Sequence, residues 1–354
     1  MRRSKSGMTQ KLNNILFFLS GVLCVVVIGI LVMAVQTKAS QKQQDYDAFT
    51  PREDNSASIN GNVEKWQEGD VLYQGEYYRY NKNIRTYLLM GIDNDGPAES
   101  VKSGTNGGQS DAMFLLVVDS ENQKLSIISI NRNTMTEIEM YDKNGTYLMT
   151  AQGQICLQHA YGDARRLSCT RTVSAVEKLF TNIPISGYVS INMGAIPTLN
   201  DAIGGVQVEV LQDLNYPSKN VNLTAKETVT LNGNEAYCYL RGRDVNDFDS
   251  ASDRLRREEQ YMVAYMNQLK HYASGNASAI VNLYDEVEDY IVSNVDFAGL
   301  AGELLDYEFS DSVMYTVPGH TQMGETYEEY VVDEEAFEDL LMEVFYVPVD
   351  AVEN

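Results

Sequence analysis

Two acids and a set of arginines carry the chemistry open to this chain. Asp93 closes an apolar run at residues 87–92, Ser110 and Asp111 open a second at 112–118, and Arg132 follows a third at 125–130. Each run has strand length and turn residues at its ends. The polar stretch 119–124 suits a hairpin loop, so the second and third runs are expected to be antiparallel neighbours. If the first run also pairs antiparallel to the second, Asp93, Asp111 and Arg132 fall on one edge of the sheet. Two carboxylates there are oxygen ligands for a hard cation such as Mg²⁺, beside a guanidinium suited to a bidentate phosphate contact. Asp and Asn next to Gly also form turns, and an Arg after a strand is commonly solvated, so spacing alone leaves both readings open.

A second basic cluster follows. Residues 236–240 (AYCYL) read as a strand running into Arg241-Gly242-Arg243, whose two arginines would then point the same way. Arg254 and Arg257 are three apart at the start of a helix expected to reach about residue 272, and so share a face. Four guanidiniums in a chain of formal net charge −23 fit a tailored anion site, with the pyrophosphate of a lipid carrier as a guest. Salt bridges to Asp244, Asp247, Asp249 and Asp253 account for them equally well.

Composition removes other classes. So acidic a chain cannot assemble a broad basic face, which argues against nucleic acid as a partner. His159, His271 and His320 are too scattered for a zinc cluster or a Ser-His dyad, and there is no P-loop or dinucleotide fingerprint.

The elements that must position these residues begin with an anchor. Residues 15–35 carry no charge and, at about 1.5 Å per residue, reach roughly the 30 Å of a bilayer core. Arg2, Arg3, Lys5 and Lys11 precede them with no acid among them, placing residues 1–14 in the cytoplasm and the remainder outside. A cleaved signal peptide would have a shorter apolar region and a better cleavage site than Thr37-Lys38-Ala39. Residues 36–80 read as a polar stalk ending in a small hairpin at 71–80, and 81–349 as one domain. In that domain strands alternate with helices at 154–161, 171–180 and 195–203, which predicts a layered α/β fold. Cys156 and Cys169 lie close together on the oxidising side, where a bridge would contribute about 3 kcal/mol in the chain-entropy model, unless both are buried thiols. Cys238 has no evident partner.

The segments YLLMGID, GGQSDAM, SIISINRNTMTEI, QICLQHAYGD, AIPTLNDAIGGVQVEV, TLNGNEAYCYLRGRDV and RLRREEQYM occur in order and spacing that resemble the LytR-CpsA-Psr family, closely over residues 83–269. The resemblance implies a central mixed β-sheet flanked by helices, preceded by one transmembrane helix. It also implies a phosphotransferase that moves an anionic glycopolymer, of teichoic acid or capsular type, from a polyprenyl-pyrophosphate carrier to peptidoglycan with Mg²⁺, with a pyrophosphatase side activity in reach. By position, Asp93 and Asp111 match the metal-associated acids, Arg132 the Arg of a PRD-like motif, and Arg241 and Arg243 the R-x-R pair on the pyrophosphate. Arg254 and Arg257 match R-x-x-R-Q in the register adopted here; Arg256 takes the first place in the other. Gln109, Asn131, Asn133 and Glu258 depart from the usual Arg, Pro, Asp and Gln. A groove for the prenyl tail is expected around Val173, Val176, Leu179, Ile196 and Leu199. A non-catalytic binder of polyprenyl phosphate or wall polymer is the alternative that the departures leave open.

Overall fold

The computed structural model describes residues 69–102, 106–243, 246–274 and 278–349. The expected cytoplasmic segment, membrane span and most of the stalk lie outside these residues. Among the described residues no helix is long and apolar enough to cross a membrane.

The central sheet has six strands: β1 (Ile84–Ile92), β2 (Ser110–Asp119), β3 (Lys124–Ser129), β4 (Gly187–Asn192), β5 (Ile291–Ser293) and β6 (Met314–Thr316). Their order is β5-β4-β1-β2-β3-β6. As the apolar runs predict, β1, β2 and β3 pair antiparallel. β4 runs parallel to β1 and β6 parallel to β3, which makes the sheet mixed.

Seven helices concern the argument: α1 (Arg166–Leu179), α2 (Ile196–Ala202), α3 (Gly233–Arg241), α4 (Ser250–Ala273), α5 (Ser278–Val287), α6 (Phe297–Leu304) and α7 (Glu334–Phe345). Because side chains alternate along a strand, β2 sends Met113, Leu115 and Val117 to one face and Phe114, Leu116 and Val118 to the other. The first face packs on Val176 and Phe180 at the end of α1 and on Phe337 and Leu341 of α7. The second packs on α2 to α6. With both faces covered, β2 reads as a continuous apolar run. Leu115 is fully buried, so its truncation to Ala would cost about 2–5 kcal/mol.

Two expected elements differ. Residues 236–240 lie in α3, not in a strand. The Asn232 side chain accepts from the backbone N–H groups of Asn234 and Glu235, and the Glu235 carboxylate accepts from the N–H of Asn232. This reciprocal cap fixes a helix start and outweighs the strand preference of the Tyr-rich sequence. The helix expected over 154–161 is only the single turn Leu157–Ala160, because the strand Tyr147–Gln154 stays paired with Met135–Tyr141 up to its last residue.

Candidate functional site

At the edge where β1 ends, the sheet is irregular. Gly91 pairs with Ala112 and Ile92 with Ser110, so Asp111 is an extra residue on β2. Such a bulge re-aims a side chain and is common beside active sites. A Cβ on Gly91 would lie 3.1 Å from the Ala112 Cβ, so the smallest residue suits the bulge. Asp111 thereby reaches two arginines: its Oδ1 is 2.9 Å from Arg132 Nε, and its Oδ2 accepts from Arg254 Nη1 at 2.8 Å. Asp93, one residue past β1, exchanges hydrogen bonds with Gln109: the Gln109 N–H donates to Oδ1 at 2.6 Å and the Asp93 N–H donates to the Gln109 carbonyl at 3.1 Å. Burial holds the Asp93 carboxyl above its ordinary range, with Asp111 adding to the rise and Arg132 and Arg241 opposing it. The two acids and the arginines are thus close enough to feel one another's charge.

Arg132 sits in a turn built by its neighbours. Asn131 Oδ1 accepts from the Asn133 N–H at 2.9 Å, and the Asn131 carbonyl accepts from the Thr134 N–H and hydroxyl. An Asx turn therefore does the work that a proline would do by fixing φ. The guanidinium of Arg132 also donates to the Gln109 side chain. The buried Asn133 side chain accepts from Gln154 Nε2 at 3.0 Å.

Arg241 and Arg243 arrive by a route different from the expected strand end. Arg241 is the last residue of α3, where a cation is favoured by the helix dipole. It donates to Asp95 at 3.1 Å and to the Tyr237 hydroxyl, which itself donates to Asp95 at 2.6 Å. Arg243, two residues on, is half-buried; burial and the charges of Arg132 and Arg254 lower its pKa, so it belongs to the same cluster. Asp95 and Tyr237 were not expected from the sequence. The Asp93-Asn94-Asp95 spacing was a visible signal for the first; nothing marked the second.

Arg254 and Arg257 both turn inward, whereas Arg256 is exposed and pairs with Asp253 at 2.6 Å. Their expected role as direct phosphate contacts needs correction for Arg257. It is 0 % exposed and donates to the carbonyls of Tyr239 (2.8 Å) and Gly242. Those carbonyls lie at the C-terminal end of α3, where backbone oxygens lack helical partners. Arg257 satisfies them and fixes the segment bearing Arg241 and Arg243. Arg254 is 3 % exposed and bridges Asp111 to Glu258, whose Oε1 is 3.2 Å from its Nε. Burial drives the Glu258 carboxyl up to about 8 despite the adjacent guanidinium.

Asp111 and Glu258 are the charged residues in the lining of an apolar channel of about 240 Å³ between the sheet and α2, α4, α5 and α6. Ile196 and Leu199 line it, as expected. Val173, Val176 and Leu179 do not: they belong to α1, packed in the core on the opposite face of the sheet. Helical periodicity identifies an apolar face but not the side of the sheet that it covers.

A hard cation fits this donor set. Asp111 Oδ1 is buried and accepts no hydrogen bond, Arg132 meeting it as an ion pair only. Asp93 and Asp111 could hold Mg²⁺, which characteristically takes one or two carboxylates and completes its shell from phosphate oxygens and water. Among the described residues no group of three acidic, His or Cys side chains that could hold a metal converges, so the ion would rely on substrate oxygens.

The expected Cys156–Cys169 bridge is absent. Both thiols are free and buried, Cys156 against Gln109 and Cys169 with its Sγ 3.9 Å from His159 Nε2. They lie on separate elements, Cys156 in the turn after Tyr147–Gln154 and Cys169 within α1, and are directed to different partners. Burial raises both, to about 11 and about 12.

A mixed sheet between helical layers, with an acid–arginine cluster beside an apolar channel, defines a layered α/β protein. The chain belongs to the LytR_cpsA_psr family, whose model matches residues 30–345. It is 29% identical over 187 residues to the Bacillus cereus polyisoprenyl-teichoic acid–peptidoglycan teichoic acid transferase TagU, covering 53% of each chain. The chain thus spans about half the length of the curated relatives it matches first. Among solved structures it shares its fold with protein gbs0355 from Streptococcus agalactiae (18% identity, TM-score 0.59, 74% of this chain and 86% of that one). It also shares it with TagT bound to LI-WTA (21% identity, TM-score 0.53, 74% and 90%).

Proposed function

We propose that this protein is a phosphotransferase that moves a phosphate-linked glycopolymer of the teichoic acid type from a polyisoprenyl-diphosphate carrier to peptidoglycan. The observation that carries this reading is the meeting of Asp93, Asp111, Arg132, Arg241 and Arg243 beside an apolar channel that Asp111 lines. A diphosphate joined to an isoprenoid tail has that polarity: a compact dianionic head next to a chain that gains from leaving water. The name of the TagU relatives and the ligand of TagT support the same substrate class.

Phosphoryl transfer asks the protein for alignment and charge neutralisation more than for a covalent intermediate. An acceptor hydroxyl oxygen attacks the phosphorus that bears the polymer. The bond from that phosphorus to the bridging oxygen breaks, and isoprenoid monophosphate leaves. Arg132, Arg241 and Arg243 offset charge on the phosphate oxygens. Asp93 takes the proton of the acceptor hydroxyl, since Asp111 is engaged by two arginines. Mg²⁺ held by Asp93 and Asp111 would supply further neutralisation of the diphosphate. Arg257 and Arg254 act as positioning residues.

Residues 15–35 support attachment to the cell membrane as a single span, with the enzyme domain outside and the carrier in the adjacent leaflet. A second reading, that of a non-catalytic binder of the carrier or polymer, is favoured by the double engagement of Asp111. Incubating the full chain with a radiolabelled polyisoprenyl-diphosphate-linked glycopolymer and isolated peptidoglycan separates the two. Label made covalent to peptidoglycan supports the transferase, and retention of intact carrier on the protein supports the binder.

A further inference from the structure

On another side of α4 lies a second cavity, of about 380 Å³, within the roughly 300–1,000 Å³ usual for small-molecule sites. It is more polar than the channel, although Leu255 and Tyr330 also line it. α4 supplies Ser252 and Glu259, the loop after β3 supplies Asn131, and Asp249, Thr316 and Thr321 complete the walls. Asp249 Oδ1 accepts from the hydroxyls of Ser252 and Thr321, and Glu259 Oε1 from those of Ser129 and Thr316. The second oxygen of each carboxylate has no hydrogen-bond partner among the described residues. Arg256, the arginine in this wall, is already paired with Asp253.

Acceptor oxygens, orientable hydroxyls and an excess of negative charge reject an anionic polymer and suit a ligand rich in uncharged O–H and N–H donors. Phe248 and Tyr327, both exposed, immediately precede Asp249 and Glu328, and the Asp249 N–H donates to the Glu328 carboxylate at 3.0 Å. Through these neighbours they offer exposed aromatic surface near Asp249 for the C–H faces of sugar rings. The cavity also adjoins the anion cluster. Asn131 precedes Arg132 and donates to Ser252 at 3.0 Å, and Glu328 lies within electrostatic range of Arg243.

We propose that this cavity is a saccharide-binding site that holds the acceptor glycan strand beside the transferred phosphate. The acceptor role rests on the transferase reading above; the saccharide specificity rests on the cavity itself. The test is calorimetric titration of the full chain with an N-acetylglucosamine tetrasaccharide and, separately, with farnesyl diphosphate. Asp249→Asn and Glu259→Gln preserve size, and Asn tolerates the left-handed backbone of position 249 (φ 62). Each is expected to weaken tetrasaccharide binding about tenfold by replacing charged acceptors with amides, and to leave farnesyl diphosphate affinity unchanged. Arg243→Ala is expected to do the reverse. Tetrasaccharide affinity unchanged in both cavity variants, or no tetrasaccharide binding by a wild-type chain that binds farnesyl diphosphate, overturns the saccharide site. Tetrasaccharide binding without farnesyl diphosphate binding overturns the transferase reading and the acceptor role, and leaves the saccharide site in place.

Discussion

Arg254 donates to Asp111 Oδ2 at 2.8 Å while its Nε lies 3.2 Å from Glu258, so one buried guanidinium joins the bulge of β2 to the neighbouring turn of α4. Removing one partner from a buried ionic group leaves the others uncompensated. Arg254→Ala is expected to destabilise the fold by about 3–5 kcal/mol, measured by urea unfolding. Addition of Glu258→Gln to that variant should recover little at neutral pH, where the buried Glu258 carboxyl already holds its proton, and leaves Asp111 as the stranded charge.

Glu258 gives the stability a pH dependence of its own. Its carboxyl, facing Arg254, Asp111, Arg257 and Glu259, is raised by burial from 4.5 to about 8, so the folded state holds a proton that the unfolded state releases. Between those values the folded chain binds more protons, and stability therefore falls as pH rises from 4.5 to about 8. Thermal unfolding across that window should show a steeper decline for the wild type than for Glu258→Gln. Equal slopes would place the Glu258 charge outside this balance.

Arg257 and Arg243 should separate position from contact. Arg257→Ala leaves the carbonyls of Tyr239 and Gly242 short of a donor in the interior and is expected to cost about 1–3 kcal/mol per stranded group, with a fall in turnover as α3 loses its fixed end. Arg243→Ala should weaken diphosphate binding with a change in stability of about 1 kcal/mol or less, since it is half-buried and lies past the helix end. Parallel unfolding and binding measurements on both variants check the assignment.

The sequence disclosed the edge of the sheet well and the arginines less well. Apolar runs bounded by turn residues place Asp93, Asp111 and Arg132 together because a hairpin leaves few pairings open. The bulge that isolates Asp111 has no comparable mark beyond Gly91. The Tyr-rich residues 236–240 look like a strand until Asn232 and Glu235 are read as a reciprocal cap. Arg254, Arg256 and Arg257 are alike in sequence; only packing against Asp111 and the end of α3 decides which turns inward. The channel needed the same information, since the faces of α1 and α2 are both apolar and lie on opposite sides of the sheet.

The thiols offer an independent check. Cys156 and Cys169 are unlinked and buried, so alkylation of the unfolded chain without reductant should label both, and their joint replacement by Ala should not produce the loss of about 3 kcal/mol expected for a severed bridge. A disulfide-linked peptide found by mass spectrometry would contradict the arrangement.

The direct test of the account is the single-turnover rate of isoprenoid monophosphate release by wild type and Asp93→Asn, with a polyisoprenyl-diphosphate-linked glycopolymer and peptidoglycan both present. Loss of the base is expected to slow release by about 10²–10⁴-fold at saturating carrier. Equal rates in the two proteins, or carrier bound by the wild type with no monophosphate released, would contradict it.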